Sequence, residues 1–443
     1  MVHIGPMASP KSTLDRRELL AGLGAAALAP IWPVSGAAQA RPPLTLQAKP
    51  ETLALRPGGT AAPVWSLQGP DLTFKRGETA EIGFANELPV PVVLNWRGMD
   101  GVPAHAPSRR AQPSQAVARP PCSFPCATPG PSSANPGLLG DQQAQPARAR
   151  PLIVRETEPV AVDRDEVLLI EDWRARPDGT AIAPGIDPKD TASLQTINGR
   201  TSLELSGRTN ERIRLRIISG CQRSVVAIKL DGLDVRVMAI DSQPSEPFQA
   251  RNGALVLAPG GRVDAFIDLT ASAGTTNAIL LHDGKEARPI GKLVVSSEPP
   301  VRAAPLPPAP PLPSNGLPER LDLKGAIRID VVLGGGPSGD WMTPANFAES
   351  APPAFRARKG RTVVLALINR AAVATVFHLH GHHFRLLDRL DDGWKPYWLD
   401  TLAIEPGQTQ RIAFAAEHAG RWLIESVNTD WAAPRLVRWY AVE

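Results

Sequence analysis

Sulfur-containing and phenolic side chains are scarce in this chain. Its 443 residues include only three cysteines and two tyrosines. Cys122 and Cys126 lie four residues apart, which fits neither a zinc-binding pair nor a redox C-x-x-C motif, and Cys221 stands alone. An oxidising compartment would allow one disulfide. The number and spacing of the three cysteines therefore indicate neither a catalytic thiol nor a metal site.

The chain also lacks a strong charge excess and long hydrophobic runs. The formal net charge is +4, and basic residues alternate with acidic ones instead of forming a stripe, which argues against a nucleic-acid partner. Apart from the N-terminus, no apolar run reaches the roughly 18 to 20 residues that cross a bilayer. We expect no transmembrane segment in the mature chain.

Residues 1–40 have the features of a twin-arginine export signal. Arg16 and Arg17 precede a weakly apolar stretch rich in Ala and Gly, and Ala38-Gln39-Ala40 fits a small-x-small cleavage site. The alternative is a disordered basic tail. The signal predicts a periplasmic protein exported by the twin-arginine pathway, which carries proteins that are already folded.

What the sequence does contain is typical of an all-β protein. Gly (37) and Pro (47) are plentiful, and periodic helical runs are few, which favours short strands joined by many turns. The length is too great for one hydrophobic core and suggests about three domains.

Three segments repeat one pattern. In each, an alternating strand ends at Asn or Ser, and a second strand ends at Gly 12 or 13 residues later, from 86 to 98, from 219 to 232 and from 369 to 381. Pro259-Gly260 and Pro406-Gly407 each begin a further alternating strand. The near-constant spacing indicates one structural unit used three times.

The composition places boundaries between these units. We expect β-sandwich domains at 41–157, 158–298 and 321–443, with a Pro-rich, semi-rigid linker at 299–320 that acts as a strap. Residues 106–135 are anomalous, because they show no alternation where the first unit should have its turn and strand. A locally altered reading frame and a disordered loop are the two explanations.

The motif that points to chemistry is Phe377-His378-Leu379-His380-Gly381-His382-His383-Phe384. Four of the chain's eight histidines lie within these six central positions. On a strand, His378, His380 and His382 would share one face and His383 would point away. Alternate imidazoles on one strand can converge on a metal ion.

This motif and several others resemble the multicopper oxidases. The C-terminal segments Asp400-Thr401, Pro406-Gly407 and Gly420-Arg421-Trp422 agree, and so do the central segments Glu171-Asp172-Trp173 and Ala258 to Asp264. The resemblance implies three cupredoxin-like Greek-key β-sandwich domains, and copper at a mononuclear site and a trinuclear cluster.

The same resemblance implies that most copper ligands are missing. The mononuclear site needs two His and a Cys thiolate. The ligand positions of both sites that carry other residues are Asn95, Arg97, Thr375, Glu425, Ser426, Val427, Trp431 and Leu436. Only His378 and His380 remain of the eight imidazoles that would hold the cluster, so we expect no copper cofactor, with a residual metal site at His378, His380 and His382 as the alternative.

Two packing predictions follow from these replacements. Arg97 and Glu425 replace ligands of one cavity, so we expect them to form an ion pair. Trp394, Trp398, Trp422, Trp431 and Trp439 crowd the last 50 residues and are expected in the core and in domain interfaces.

Three functions remain open from the sequence. The first is a non-enzymatic periplasmic module that binds an unidentified protein partner, as copper-free relatives of the multicopper oxidases do in cell division or envelope assembly. The second is a copper-dependent oxidoreductase. The third is a protein that binds a single metal ion at the histidine cluster.

Overall fold

The computed structural model describes residues 43–108, 122–138, 143–334, 340–344, 351–388 and 393–443. The predicted export signal and residues 109–121 of the anomalous segment lie outside these ranges. The described residues form strands, turns and one short 3-10 helix, Arg251–Gly253. They include no helix with the length and apolarity that a membrane crossing would require.

Nine strands form the first of three sandwiches. They are β1 (Leu44–Ala54), β2 (Ala61–Gln68), β3 (Leu72–Lys75), β4 (Thr79–Asn86), β5 (Val92–Arg97), β6 (His105–Ser108), β7 (Cys122–Pro125), β8 (Gly130–Leu138) and β9 (Arg150–Arg155). Their two sheets have the strand orders β2-β1-β4-β7 and β3-β9-β8-β5-β6. One core, which includes Leu46, Ile82 and Leu94, draws buried residues from both sheets.

The second sandwich contains twelve strands. They are β10 (Arg164–Ala175), β11 (Ala181–Ile182), β12 (Ala192–Ile197), β13 (Leu203–Gly207), β14 (Arg212–Ser219), β15 (Val226–Leu230), β16 (Val235–Ile240), β17 (Gln243–Gln249), β18 (Ala254–Leu257), β19 (Arg262–Asp268), β20 (Thr276–His282) and β21 (Ala287–Val295). One sheet has the order β11-β10-β14-β19-β16-β17, with β12 paired to β10, and the other has the order β13-β21-β20-β15-β18.

The third sandwich contains ten strands. They are β22 (Ile327–Leu333), β23 (Arg356–Ala357), β24 (Thr362–Asn369), β25 (Thr375–Leu379), β26 (Phe384–Leu387), β27 (Trp394–Leu399), β28 (Thr401–Ile404), β29 (Thr409–Ala415), β30 (Gly420–Asn428) and β31 (Leu436–Val442). The sheets have the orders β22-β24-β29-β26-β27 and β23-β31-β30-β25-β28.

All three sandwiches share one pairing scheme. The strand pairs β1–β4, β10–β14 and β22–β24 are parallel, and β4, β14 and β24 each pair antiparallel with β7, β19 and β29. The all-β prediction and its three cupredoxin-like Greek-key sandwiches are confirmed. The strands fall within the predicted domain segments, whose exact boundaries stay a prediction.

The repeated Asn and Pro-Gly positions have a local physical cause. Asn86 and Asn369 each donate from Nδ2 to the carbonyl four residues on and accept from the N–H two residues on, which closes the turn after β4 and β24. At Pro259-Gly260 and Pro406-Gly407, glycine has φ of +85° and +70°, as a type II turn requires. These turns lead directly into β19 and β29.

The anomalous segment contains a strand of the first sandwich. β7 pairs with β4, with Ile82 opposite Cys122 and Ala80 opposite Phe124. Phe124 is 2% exposed and its ring lies 4.8 Å from that of Trp96. A disordered loop is therefore wrong for residues 122–135, which form β7 and most of β8. The reading-frame explanation stays a hypothesis.

The three cysteines are free thiols. Four residues of extended chain separate Cys122 from Cys126 by about 13 Å, whereas a disulfide needs Cα atoms within about 7 Å. Cys221 is buried in the core of the second sandwich. The disulfide that the sequence allowed is not formed.

Residues 299–320 lie along the second sandwich and reach the first. Pro307 accepts a hydrogen bond from Arg212 through its carbonyl, and Ala309 and Leu312 are buried against Met238 and Phe266. Farther on, the carbonyl of Ser314 accepts a hydrogen bond from Arg76 of the first sandwich. This segment is extended and held along much of its length, as a strap would be.

We predict that Phe124→Ala destabilises the first sandwich by about 3–5 kcal/mol, because it removes a buried aromatic ring. Urea unfolding, with hydrogen exchange of the peptides covering β4 and β5, measures the effect. Ser123→Ala, an exposed position on the same strand, is the matched control and should change neither. Equal behaviour of the two variants would contradict the placement of β7 in the core.

Candidate functional site

The site lies where β5 of the first sandwich faces β25 and β30 of the third. Arg97 is the last residue of β5, and its Nη2 donates to Oε2 of Glu425 on β30 at 3.0 Å. The Arg97 and Glu425 side chains are 11% and 2% exposed. The predicted ion pair is therefore present and buried, and it joins two sandwiches.

Glu425 has a second partner, His380, which directly follows the neighbouring strand β25. His380 Nε2 lies 2.6 Å from the other carboxylate oxygen, Oε1. Burial alone would raise the pKa of Glu425, but the charge of Arg97 and the hydrogen bond from His380 hold it well below its usual range. An ionised carboxylate accepts only, so His380 donates its Nε2 proton to Glu425.

His378 is held by a different chain of hydrogen bonds. Its Nδ1 lies 2.8 Å from Thr401 Oγ1, which donates to Asp400 Oδ1 at 2.7 Å. Asp400 is ionised, since Arg262 outweighs the burial and holds its pKa far below the usual range. The hydroxyl proton points at Asp400, so His378 carries its proton on Nδ1 and leaves Nε2 as a lone pair.

Burial and the nearby Arg97 charge lower the pKa of His378 well below its usual range. The ring is therefore neutral at pH 7. The His378 and His380 rings lie edge to face with centroids 4.5 Å apart. His378 is hydrogen-bonded to Thr401 and His380 to Glu425, so the two imidazoles have different hydrogen-bond partners.

His382 does not join these two rings, and the prediction that all three share one face is wrong. Strand β25 ends at Leu379, and Gly381 has a φ of +79°, which turns the chain. His382 Nδ1 lies 2.7 Å from the Tyr440 hydroxyl, and its Nε2 accepts from the His418 backbone N–H. Both ring nitrogens are thus engaged in the core of the third sandwich.

His383 contacts the first and second sandwiches. Its Nδ1 lies 2.7 Å from Asp100, and its Nε2 lies 2.7 Å from the Asp241 carbonyl. Burial alone would lower the pKa of His383, but the Asp100 charge outweighs it and raises the pKa to about 9. We infer an imidazolium at pH 7 at this contact.

A second buried ion pair joins all three sandwiches. Arg262, from the second, donates to both oxygens of Asp400, from the third, at 2.8 Å each. The backbone N–H of Gly98, from the first, donates to Asp400 Oδ2 at 3.0 Å. Asp241 accepts from the backbone N–H groups of Asp400 and Thr401. Sequence analysis assigned no role to Asp241, and no local pattern marks it.

Strand β8 carries a further position that the sequence did not locate. Asn135 lies opposite Asn95 in the register that places Glu425 opposite His378 in the third sandwich, so Asn135 corresponds to Glu425. The resemblance implies a second imidazole pair in this region, and residues 133–137 include no histidine. The strand reads Gly-Pro-Ser-Ser-Ala-Asn-Pro-Gly-Leu, which lacks the alternation that would have located it.

The positions of the implied mononuclear site are filled by packing and hydrogen bonds. Thr375 Oγ1 contacts Asn369 and Asn428, Trp431 Nε1 donates to the Ala183 carbonyl, and Leu436 is buried in the third core. Ser426 and Val427 are buried on β30. Trp398, Trp422, Trp431 and Trp439 are also buried, which confirms the core prediction for these four; the Trp394 side chain lies outside the described ones.

A cavity of about 60 Å³ lies where the three sandwiches meet. It is lined by Asn95, Arg97 and Asn135 from the first sandwich, by Ser219, Gly220 and Gln222 from the second, and by His378, Val427 and Arg435 from the third, among others. Such a volume has room for a few water molecules.

The residues at this junction do not fit a copper cluster. Arg97 is a permanent cation with donors only and repels a metal ion, and Glu425 already binds Arg97 and His380. Among the described residues, no group of three or more His, Cys, Asp or Glu side chains is arranged to hold a metal ion. We derive no reaction step through copper.

We predict that Glu425→Ala lowers the free energy of unfolding by about 3–5 kcal/mol, because it leaves Arg97 buried without its counter-charge. The double variant Arg97→Met/Glu425→Leu should recover most of that loss, since no unpaired charge remains. Urea unfolding measures both. Glu417→Ala, an exposed position in the same sandwich, is the control. A loss near zero for Glu425→Ala would count against the buried pair.

We predict opposite charge states for two adjacent histidines. The pKa of His383 is raised to about 9, whereas burial lowers that of His382 to about 3. Ring ¹⁵N shifts at pH 7 should show a protonated His383 and a neutral His382, and Asp100→Asn should make His383 neutral. Because the folded pKa of His383 lies above its unfolded value, its stabilisation is full below about pH 6.5 and is lost as the pH rises through about 9. A neutral His383 in the unsubstituted chain would contradict the assignment.

Solved structures of multicopper oxidases share the fold. That from Pseudomonas thermotolerans superposes with a TM-score of 0.74 at 23% identity, covering 90% of this chain and 98% of that one. Lac15 from a marine microbial metagenome gives 0.71 at 22% identity, covering 90% and 100%. McoA from the hyperthermophile Aquifex aeolicus gives 0.70 at 16% identity, covering 91% and 96%. These likenesses show the fold alone.

No sequence among the curated proteins matches this chain. Two family models, each described as multicopper oxidase, match residues 164–285 and 320–443. The matched segments together span more than half of the sequence and contain His378, Asp400 and Glu425. On this basis the chain belongs to the multicopper oxidase family.

Proposed function

We propose that this chain is a copper-free member of the multicopper oxidase family that acts in the periplasm as a binding module for another protein. The observation that carries the proposal is the buried group formed by Arg97, Glu425 and His380. It places an ion pair and a hydrogen-bonded imidazole at three positions where the family has copper ligands.

Charge supports the loss of the trinuclear cluster. A copper ion at this junction would lie beside the Arg97 guanidinium, with Arg262 also buried nearby. Two further positions on β5 and β8 carry the amides of Asn95 and Asn135, which are weak ligands for copper compared with imidazole. Displacing Arg97 from Glu425 to make room would leave an unpaired buried charge.

The residues at the mononuclear copper positions support the inference that this chain has no copper to take electrons from a substrate. A blue copper site needs a thiolate, and Ser426 offers a hydroxyl in its place. The three cysteines of the chain lie in the first and second sandwiches, and burial raises the pKa of Cys126 to about 12. We infer that none of them supplies the missing sulfur.

Export and architecture support a role outside the cytoplasm. The twin-arginine pattern at 1–40 fits a protein that folds before transport, and the three sandwiches are held together by buried ion pairs that need no metal. A three-domain body of this kind can present loops and strand edges to a partner protein. The proposed partner is another periplasmic protein.

Two other functions compete with this one. A copper-dependent oxidoreductase would need ligands that the described residues do not provide. A protein that binds one metal ion has some support, because His378 lines the cavity and the His380 ring lies 4.5 Å from the His378 ring. Metal content and spectra separate all three.

We predict that the mature chain, stripped with chelator and then loaded with Cu(II), retains no stoichiometric copper after desalting. It should show no absorbance band near 600 nm and no oxygen uptake with a phenol, because the thiolate and six of the eight cluster imidazoles are absent. Mass-spectrometric metal analysis, absorbance and an oxygen electrode measure these outcomes.

The matched variant His378→Ala/His380→Ala identifies any residual site. One retained copper that is lost in this variant would favour the single-metal protein. Several retained coppers with oxygen-consuming turnover would overturn the proposal in favour of the oxidoreductase. No copper in either chain agrees with the proposal.

A further inference from the structure

The strap along the second sandwich contains a stretch whose backbone is fixed by its sequence. From 304 to 313 the chain reads Ala-Pro-Leu-Pro-Pro-Ala-Pro-Pro-Leu-Pro, so every residue is a proline or directly precedes one. Proline fixes its own φ near −65° and disfavours the helical region for the residue before it. All ten residues are therefore held in extended or polyproline II backbone, and the structure gives them neither helix nor strand.

Burial along this stretch repeats every three residues, which is the period of a polyproline II helix. Ala309 and Leu312 are 9% and 8% exposed, and Leu306 and Asn315, three residues before and after them, are half-buried. The two other edges consist of exposed prolines alone, with Pro305, Pro308 and Pro311 on one edge and Pro307, Pro310 and Pro313 on the other. We call residues 304–313 the polyproline ridge.

Hydrogen bonds hold the polyproline ridge near both of its ends. Nη2 of Arg212 donates to the carbonyls of Leu306 and Pro307 at 3.3 and 2.8 Å. Just beyond the ridge, Asn315 donates to the carbonyl of Ser242 at 2.8 Å. The exposed prolines are thus presented in one conformation, so a partner that binds them has little chain entropy to remove.

The chemistry of the ridge determines which partner fits it. Proline has no N–H group, so the exposed prolines offer carbonyl acceptors and apolar rings but no donor. Residues 303–313 also include no charged side chain. Grooves that recognise polyproline II segments are lined with aromatic side chains. Tryptophan and tyrosine suit this surface, because each combines a large apolar ring with a hydrogen-bond donor.

We propose that the polyproline ridge is the docking surface for a partner domain whose binding groove is lined with tryptophan and tyrosine. The inference rests on the proposed function, because it names the surface through which the binding module acts. From Pro305 to Pro313 the ridge is about 25 Å long, at 3.1 Å per residue. The partner groove runs along this length and contacts both exposed edges.

A groove beside the ridge gives the partner a second contact. Its volume is about 320 Å³, and its lining includes Pro311 and Leu312 from the ridge, Pro244 from β17, and Pro396 and Trp398 from β27. Pockets for small ligands begin at about 300 Å³, so this groove has room for one aromatic side chain. Because Pro311 belongs to both the ridge and the groove, one partner domain can contact the two together.

The charges at this groove indicate the sign of the partner's surface. Glu246 and Glu319 line the groove and are exposed. The charge of Glu319 acts on Arg385, whose guanidinium carbon lies 4.8 Å from the centroid of the Trp398 ring. Glu246, in contrast, forms no ion pair with any residue that the structure describes. A lysine or arginine beside the partner's aromatic groove would therefore complement Glu246.

The first test uses the full mature chain and a panel of purified WW and SH3 domains, which recognise Pro-x-x-Pro segments. We expect at least one domain to bind the chain, and a synthetic peptide of residues 304–314 to compete for that domain. Pro308→Ala/Pro311→Ala should weaken binding about tenfold or more, because it removes two prolines from one edge. Calorimetric titration measures the affinities.

Pro299→Ala/Pro300→Ala, at two exposed prolines before the ridge, is the matched control and should bind as the unsubstituted chain does. Thermal unfolding checks that both variants are folded. If Pro308→Ala/Pro311→Ala does not fold, the competing peptide decides the result, because its binding does not depend on the fold of the chain.

The second test uses the cells that produce the chain. The photo-crosslinking residue benzoylphenylalanine replaces Ser314, which directly follows the ridge, so that all six ridge prolines stay in place. In the control it replaces Ser206, an exposed position on β13 of the second sandwich. We expect a crosslink from position 314 to a protein whose crosslinked peptide lies in an aromatic groove. Glu246→Gln should weaken binding of that purified partner several-fold, and less so at high salt.

Three results would overturn the proposal. They are a panel in which no domain binds, binding that neither the peptide nor Pro308→Ala/Pro311→Ala reduces, and cells in which position 314 gives no crosslink or one to a surface without aromatic side chains. Crosslinks from position 206 alone would retain the binding-module function and remove the ridge. Stoichiometric copper with oxygen-consuming turnover would remove the copper-free function, whatever binds at the ridge.

Discussion

The structure depends on how the charge of Glu425 is neutralised. A carboxylate that is 2% exposed is tolerated only when charged or hydrogen-bonding partners replace the water it has lost. Arg97 and His380 provide them, and they come from two different sandwiches. The ion pair therefore does more than satisfy Glu425, because it fixes β5 against β30 and so sets the contact between the first and third sandwiches.

The Arg262–Asp400 pair extends this arrangement to the second sandwich. Asp400 accepts hydrogen bonds from Nη1 and Nη2 of Arg262 and from the backbone N–H of Gly98. Its neighbour Thr401 orients His378. The protonation of His378 on Nδ1 is thus a consequence of a contact between sandwiches. The protonation state of His378 and the assembly of the three sandwiches therefore depend on the same hydrogen bonds to Asp400.

The sequence predicted the features that depend on local pattern or on a direct replacement. The repeated Asn and Pro-Gly turns, the all-β architecture and the Arg97–Glu425 pair were all accessible, since turn chemistry is local and the two residues replace ligands of one cavity. β7 and β8 were not, because a Pro- and Ser-rich segment acquires its strands from pairing with β4, β5 and β9. His382 was misplaced because the strand ends at Leu379 and the positive φ of Gly381 then turns the chain. Asp241 acts through backbone contacts across 159 residues, which leave no pattern.

Why the junction kept charged residues after losing its ligands is a question of specificity. Well-packed apolar residues at Arg97 and Glu425 would have been at least as stabilising, because a buried ion pair gains little over a hydrophobic replacement. Apolar surfaces, however, tolerate small sliding motions, whereas Arg97 can satisfy Glu425 only in one relative position of the two sandwiches. The pair is therefore better explained by orientation than by stability. An orientation fixed to this degree matters to a protein whose three sandwiches together form the surface that a partner protein would bind.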